Sequence, residues 1–354
     1  MVFKVRGLVM RLPKDSSMKS TLIITLFCWL LLLADARLTT ASANDSAAEL
    51  SIGGLVFKKT DSVAIESEEL TITLETVTVR YQFRNQSPNP VTLTVAFPLP
   101  DLDLSDGANY AIPQADSVNF VKFETKVDGK PIDFTIHQRA MLGDRDVTAQ
   151  LKEAGIPPLP LDNLPALIKA LPDAARKRML DQGLLVQAGS NDRGQPLYEA
   201  GWRVSTSAVR EQTFPPNRLV LVEHRYRTSL GISFDTMIRK AMRQKKGLAK
   251  EAQRYRRDYC ITDGFLADLD KITGDAQNNT SKIEERRISY VLKTGANWAT
   301  PIKQFRLLVD TGRAGRLTSF CAPNIAKRSP TEYEARAENF TPTSDLKILV
   351  VGQF

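Results

Sequence analysis

Leu307-Leu308-Val309-Asp310-Thr311-Gly312 is an apolar run that delivers a carboxylate into a D-T-G turn. An aspartic protease presents its catalytic acid in this way, and Ile348–Gly352 (ILVVG) imitates the later apolar-apolar-Gly element of such a site. The chemistry needs two carboxylates sharing one proton, because adjacent like charges cannot both ionise. This chain has one D-T-G, followed by Arg313 where a small residue is usual, so the second acid would have to come from a dimer mate. A polar turn at a strand end is the simpler reading.

Asp101, Asp103 and Asp106 form a second constellation, ahead of Gly107. Alternating aspartates can gather oxygen ligands for Ca²⁺. Here the glycine falls one position late and Ile112 stands where the closing glutamate belongs, so a solvated turn is favoured. Histidine is scarce, with only His137 and His224, and there is no G-x-S-x-G nucleophile turn. Two histidines and two cysteines outside the leader make a poor zinc site, and no cofactor is expected. Alternation puts His224 inward, between Val222 and Tyr226.

The third candidate is a cation run. Arg239, Lys240, Arg243, Lys245, Lys246, Lys250, Arg254, Arg256 and Arg257 face Glu251 alone within the window 239–257. Ala241, Leu248, Ala252, Tyr255 and Tyr259 recur at helical spacing, although Gly247 weakens the pattern. A basic amphipathic helix over 236–259 could lie on anionic lipid or an acidic polymer; a docked helix with one solvated face is the plainer expectation. Trp202 and Trp298 could form a sugar platform, but isolated aromatics beside strands more often pack in cores. Asn278-Asn279-Thr280 and Asn339-Phe340-Thr341 fit the glycosylation pattern, which matters only in a eukaryotic host.

The elements that position these residues are mostly strands. Val77, Val79, Tyr81 and Phe83 alternate with polar residues, as do Val91, Leu93, Val95 and Phe97, around the turn formers of 85–90. Period-two patterning predicts an antiparallel hairpin over Glu75–Pro100 with one wet face. Asp128-Gly129 predicts a tight turn between the Val121–Val127 and Ile132–Ile136 runs. Residues 142–197 predict three short helices broken by proline, led by Asp146, Asp162 and Asp173. From 202 onward, strands are expected at Trp202–Val209, Leu219–Arg227, Ile288–Leu292, Phe305–Val309, Leu317–Cys321 and Leu346–Val351. The expected class is mainly β: two antiparallel sandwich-like domains, 44–141 and 198–354, with a helical insertion at 142–197 and the second helical stretch at 236–259.

Leu22–Ala34 is an apolar run of 13 residues, preceded by Lys14 and Lys19 and followed by Thr40-Ala41-Ser42-Ala43. These are the three regions of a secretory signal, with cleavage expected after Ala43 and either Met1 or Met18 as the start. The run falls short of the ~20 residues a span needs, and no second such run follows. Export predicts a periplasmic or secreted protein and excludes nucleic acid as a natural partner. Only Cys260 and Cys321 remain after cleavage, and an oxidising compartment predicts a bridge between them.

Several segments in order carry a family likeness: Glu69-Leu70, VRYQFRN (Val79–Asn85), FPLP (Phe97–Pro100), Phe214-Pro215-Pro216 and VEHRY (Val222–Tyr226). YVLKTGANW (Tyr290–Trp298), SFCAP (Ser319–Pro323), NFTP (Asn339–Pro342) and DLKIL (Asp345–Leu349) continue it. The chain resembles the domain-of-unknown-function 4424 family of exported bacterial proteins over essentially its whole mature length. The resemblance implies export and a β-rich fold, and it supplies no catalytic residues. FPLP is also similar to a strand end of the vault and inter-alpha-trypsin type β-domain. The sequence therefore points to a non-enzymatic periplasmic binding or interaction protein, contacting a protein, polymer or lipid surface. The alternative is a carboxylate-dependent hydrolase centred on Asp310.

Overall fold

The computed structural model describes residues 46–51, 54–106, 110–113, 118–275 and 277–354; the expected signal segment and its cleavage point lie outside them. Chain order begins with β1 (Ser46–Ser51), β2 (Gly54–Lys58), β3 (Val63–Thr73), β4 (Thr76–Asn85), β5 (Val91–Pro98), β6 (Leu102–Asp103) and β7 (Tyr110–Ala111). Next come β8 (Glu124–Val127), β9 (Lys130–Pro131), β10 (Thr135–Leu142), β11 (Arg145–Asp146) and helices α1 (Thr148–Glu153), α2 (Leu164–Ala170) and α3 (Asp173–Asp181). The pair β12 (Leu185–Ser190) and β13 (Pro196–Ala200) leads into β14 (Arg203–Phe214), β15 (Leu219–Arg227) and β16 (Leu230–Ser233). Helices α4 (Lys240–Arg243), α5 (Ala249–Asp258) and α6 (Asp263–Thr273) follow. The chain ends with β17 (Glu284–Tyr290), β18 (Ile302–Asp310), β19 (Leu317–Phe320), β20 (Ala326–Lys327), β21 (Glu332–Phe340) and β22 (Leu346–Gly352).

Three sheets organise the fold. The largest runs β20-β21-β18-β3-β4-β15-β8-β9, the second β11-β10-β14-β5-β1-β2 with β6 beside β14, and the third β19-β22-β17-β16-β7. Among the described ladders only β3–β18 is parallel. On β4, Val77, Val79, Tyr81 and Phe83 are buried while Arg80 and Gln82 are exposed, the expected one-wet-face alternation. Phe97 of β5 lies 4.7 Å from His224 of β15, and Phe83 of β4 lies 5.5 Å from Phe214 of β14. The first two sheets therefore face each other across one apolar core.

This geometry corrects the hairpin. β4 pairs with β3 and β15, whereas β5 pairs with β1 and β14, so the turn carries the chain from one sheet to the facing one. Alternation is the same for a hairpin and for such an arch. Buried Asn85 fixes the crossing: its Nδ2 donates to the carbonyls of Asn89 and Phe214 at 2.8 Å each, and its Oδ1 accepts from Ser87 N at 2.8 Å. Asp128-Gly129 does close a tight turn between β8 and β9, with φ of 49° and 79°. The next run, β10, joins β14 in the facing sheet.

Strands of the two expected halves are interleaved. β3, β4 and β8 share a sheet with β15, β18 and β21, and β5 and β10 share one with β14. Residues 42–354 cluster as one compact unit. The insertion holds its three short helices, and Leu151, Ile168 and Met179 send them into the same core. Trp202 is fully buried, donating from Nε1 to Pro158 O at 2.8 Å, and Trp298 packs 4.6 Å from Phe83; both are core residues.

β22 is covered on both sides. Leu346, Ile348 and Val350 enter the main core, while Leu349 and Val351 meet Phe265, Leu266 and Leu269 of α6 in a second one. Thr262 caps α6, its Oγ1 accepting from Phe265 N at 3.1 Å. The helix expected over 236–259 is broken: α4 and α5 flank a short 3-10 turn, Lys246–Leu248. Gly247, and the like charges of Lys246 and Lys250 at i, i+4, disfavour a continuous helix there.

Candidate functional site

The described half of the acidic loop is already engaged. Asp101 pairs with Arg203 at 3.0 Å, and Asp103 Oδ1 accepts from Ser105 N at 3.0 Å and Ser105 Oγ at 2.6 Å. The side chain of Asp106 lies outside the described residues. Asp310 Oδ1 accepts from Gly312 N at 2.8 Å, and buried Thr311 is tied to Thr331 O. The D-T-G carboxylate thus caps its own turn. Among the described residues, no three His, Cys, Asp or Glu side chains gather into a metal-holding group.

Six of the nine cations in the basic run are paired. Arg239, 1% exposed, donates to Asp235 at 2.7 Å and to Gln277 O at 3.1 Å. Lys240 pairs with Asp275 at 2.6 Å, Arg243 with Asp270, Arg256 with Asp263 at 2.7 Å, and Arg257 with Asp258 at 3.1 Å. Arg254 pairs with Glu251. Lys245, Lys246 and Lys250 are exposed, with no ion pair among the described residues. The window 239–257 overstates the free charge because five of the six partner acids lie outside it.

The run nevertheless builds a site. Glu251, Arg254, Tyr255 and Asp258 follow i, i+3, i+4, i+7 spacing, which sets them on one face of α5. That face forms one wall of a cleft of about 610 Å³. Gly231–Ser233 of β16, Arg287 and Ser289 of β17, and Lys347 of β22 form the other, with Pro100–Leu102 and Phe234 at its margins.

A buried acid anchors the walls. Glu285, 1% exposed, accepts from Thr236 Oγ1 at 2.6 Å, from the Tyr255 hydroxyl at 3.1 Å and from Arg287 Nη1. Arg287 Nη1 also donates to Ser233 Oγ at 2.8 Å. Gly231 leaves room for this guanidinium, since a Cβ there would stand 3.1 Å from Arg287 Nε and Nη2. Lys347 pairs with Asp258 at 3.0 Å. Burial alone would lift the Asp258 carboxyl, but Lys347 and Arg257 outweigh it and hold it below its ordinary value. Burial pushes the Tyr259 phenol up to about 12, with Arg287 opposing, and raises Tyr255 further, so both stay neutral donors at physiological pH.

Cys260 and Cys321 are bridged, with Cα atoms 5.2 Å apart. The bridge follows Tyr259 directly and ties the α5–α6 corner to the end of β19. Ser319 Oγ reinforces it, donating to Tyr259 O at 2.8 Å. Sequence reasoning names Arg254 and Tyr255 but not Glu285, Arg287 or Ser289. The spacing of Glu251, Arg254, Tyr255 and Asp258 is a readable signal for one wall; the opposite wall comes from strands with no local mark.

A candidate nutrient-binding protein from Legionella pneumophila aligns with 88% of this chain and 72% of its own, at 16% identity and a TM-score of 0.40. A two-domain M1 zinc metallopeptidase mutant bound to L-tryptophan aligns with 83% of this chain and 44% of its own, at 8% identity and a TM-score of 0.26. At these TM-scores the likenesses assign neither fold nor function to this chain. No curated protein matches it. Residues 43–349 match the model of the family described as Domain of unknown function (DUF4424), and the chain belongs to that family.

Proposed function

We propose that this chain is an exported, non-enzymatic binding protein that holds a small polar ligand between α5 and the β16–β17 edge. One observation carries the reading: the cleft of about 610 Å³ is walled by side chains already fixed through Glu285, Asp258 and their partners. Its volume lies within the ~300–1,000 Å³ usual for small-molecule sites. Walls locked before binding reduce the ordering cost of association. A hydrolase centred on Asp310 has less support, since that carboxylate is occupied within its turn.

Export rests on the basic, apolar and small-residue regions of the first 43 residues. Among the described residues no helix is long and apolar enough to cross a membrane. Fractionation with N-terminal sequencing checks the compartment: the mature chain is expected outside the cytoplasm, beginning at Asn44. An uncleaved cytoplasmic chain would refute it. For binding, protein purified from its native compartment should release a small molecule on denaturation. Ser289→Trp, which fills the cleft from an exposed strand position, should abolish that release. Equal release from both proteins would reject the cleft as the site.

A further inference from the structure

The lining of the cleft carries information about its ligand. Asp101, Glu251 and Asp258 balance Arg254, Arg287 and Lys347. Each already has a protein counterion: Arg203 for Asp101, Glu251 for Arg254, Lys347 for Asp258 and Glu285 for Arg287. An ionic ligand would have to break a pair or leave its own charge uncompensated in a partly desolvated site. A neutral ligand can hydrogen-bond to the outer atoms of these pairs without disturbing them. Tyr255 and Tyr259, ring centroids 5.4 Å apart, add apolar faces, and Phe234 stands 72% exposed at the margin.

A smaller cavity beside the cleft is more specific. Pro100, Ser229 and Ser289 line both the cleft and this cavity of about 10 Å³, which Tyr226 also lines. Tyr226 is 4% exposed, and its hydroxyl and the Ser229 hydroxyl are buried without a hydrogen-bond partner. A ligand hydroxyl can satisfy both groups without bringing a charge into this buried cavity, whereas a carboxylate or an ammonium would have to be desolvated there. Leaving such hydroxyls unmatched costs about 1–3 kcal/mol each.

We infer that the cleft binds a neutral, polyhydroxylated ligand of the carbohydrate class, with one hydroxyl inserted toward Tyr226 and Ser229. The inference rests on the cleft being a binding site. Calorimetric titration of the whole mature chain tests it with three probe classes: neutral trisaccharides (malto-, cello- and chitotriose), an oligogalacturonate, and a neutral tripeptide mixture. A neutral trisaccharide should bind, lose binding in Ser289→Trp, and bind about 5- to 10-fold more weakly to Tyr226→Phe, the loss of one hydrogen bond. Ser229→Ala gives the same readout if Tyr226→Phe folds poorly. Binding confined to oligogalacturonate or peptide, and lost in Ser289→Trp, overturns the ligand class while the cleft stands. If no probe depends on the cleft, the inference and the binding reading both fall.

Discussion

Replacing both bridged cysteines, as Cys260→Ser with Cys321→Ser, should lower stability by about 4 kcal/mol. The bridge spans 61 positions, and closing a loop of that length removes about 14 cal/mol/K from the unfolded chain in the entropy model. The folded geometry should survive, because Ser319 Oγ still bonds Tyr259 O and Lys347 still pairs with Asp258 across the same corner. The perturbation therefore acts mainly on the unfolded ensemble, and cleft residues Asp258 and Tyr259 should keep their places. Urea unfolding of the oxidised protein and the double-serine variant is the assay. With a slope of about 2–3 kcal/mol/M, the midpoint should fall by about 1–2 M, and the slope should rise somewhat because the uncrosslinked unfolded chain is less compact. A loss under about 1 kcal/mol, or two freely alkylated thiols in the native protein, would refute the reasoning.

Other perturbations give opposite signs or smaller sizes. Hydrogen bonds from Arg336 and Arg306 hold Glu334 down at about 2, so its contribution is present above the ordinary carboxylate range. It is lost as pH falls from ~4.5 through about 2, and Glu334→Gln should flatten that part of a melting-temperature profile. Arg239→Met should cost about 2–3 kcal/mol in urea unfolding, less than a fully buried pair because Asp235 keeps 34% exposure. Charge reversal at Lys245 and Lys246 should leave stability within about 0.5 kcal/mol. The same change should remove the weak, salt-sensitive affinity for anionic vesicles expected of Lys245, Lys246 and Lys250, as read by co-sedimentation at low and moderate salt.

Strand existence was more legible than strand partnership. Leu219–Arg227 shows clear alternation and forms β15 over those very residues. Alternation cannot say which strand lies beside which, so the β4–β5 arch looks like a hairpin until Asn85 is seen joined to Phe214. β21 escaped notice because its inward positions include small alanines, Ala335 and Ala337, and its Glu334 is a buried charge hub for Arg306, Arg328 and Arg336. Charge was the most misleading quantity. A window sees nine cations between 239 and 257, whereas Asp235, Asp258, Asp263, Asp270 and Asp275 neutralise five of them from outside it. The cleft needs β16, β17 and β22 against α5, a meeting of distant segments that no local spacing encodes.

The binding reading is tested most directly by melting the wild-type chain and Ser289→Trp side by side with neutral oligosaccharides, amino acids and short peptides. At least one class should raise the wild-type melting temperature and leave Ser289→Trp unmoved. If every compound that shifts one protein shifts the other equally, the cleft is not where this chain binds.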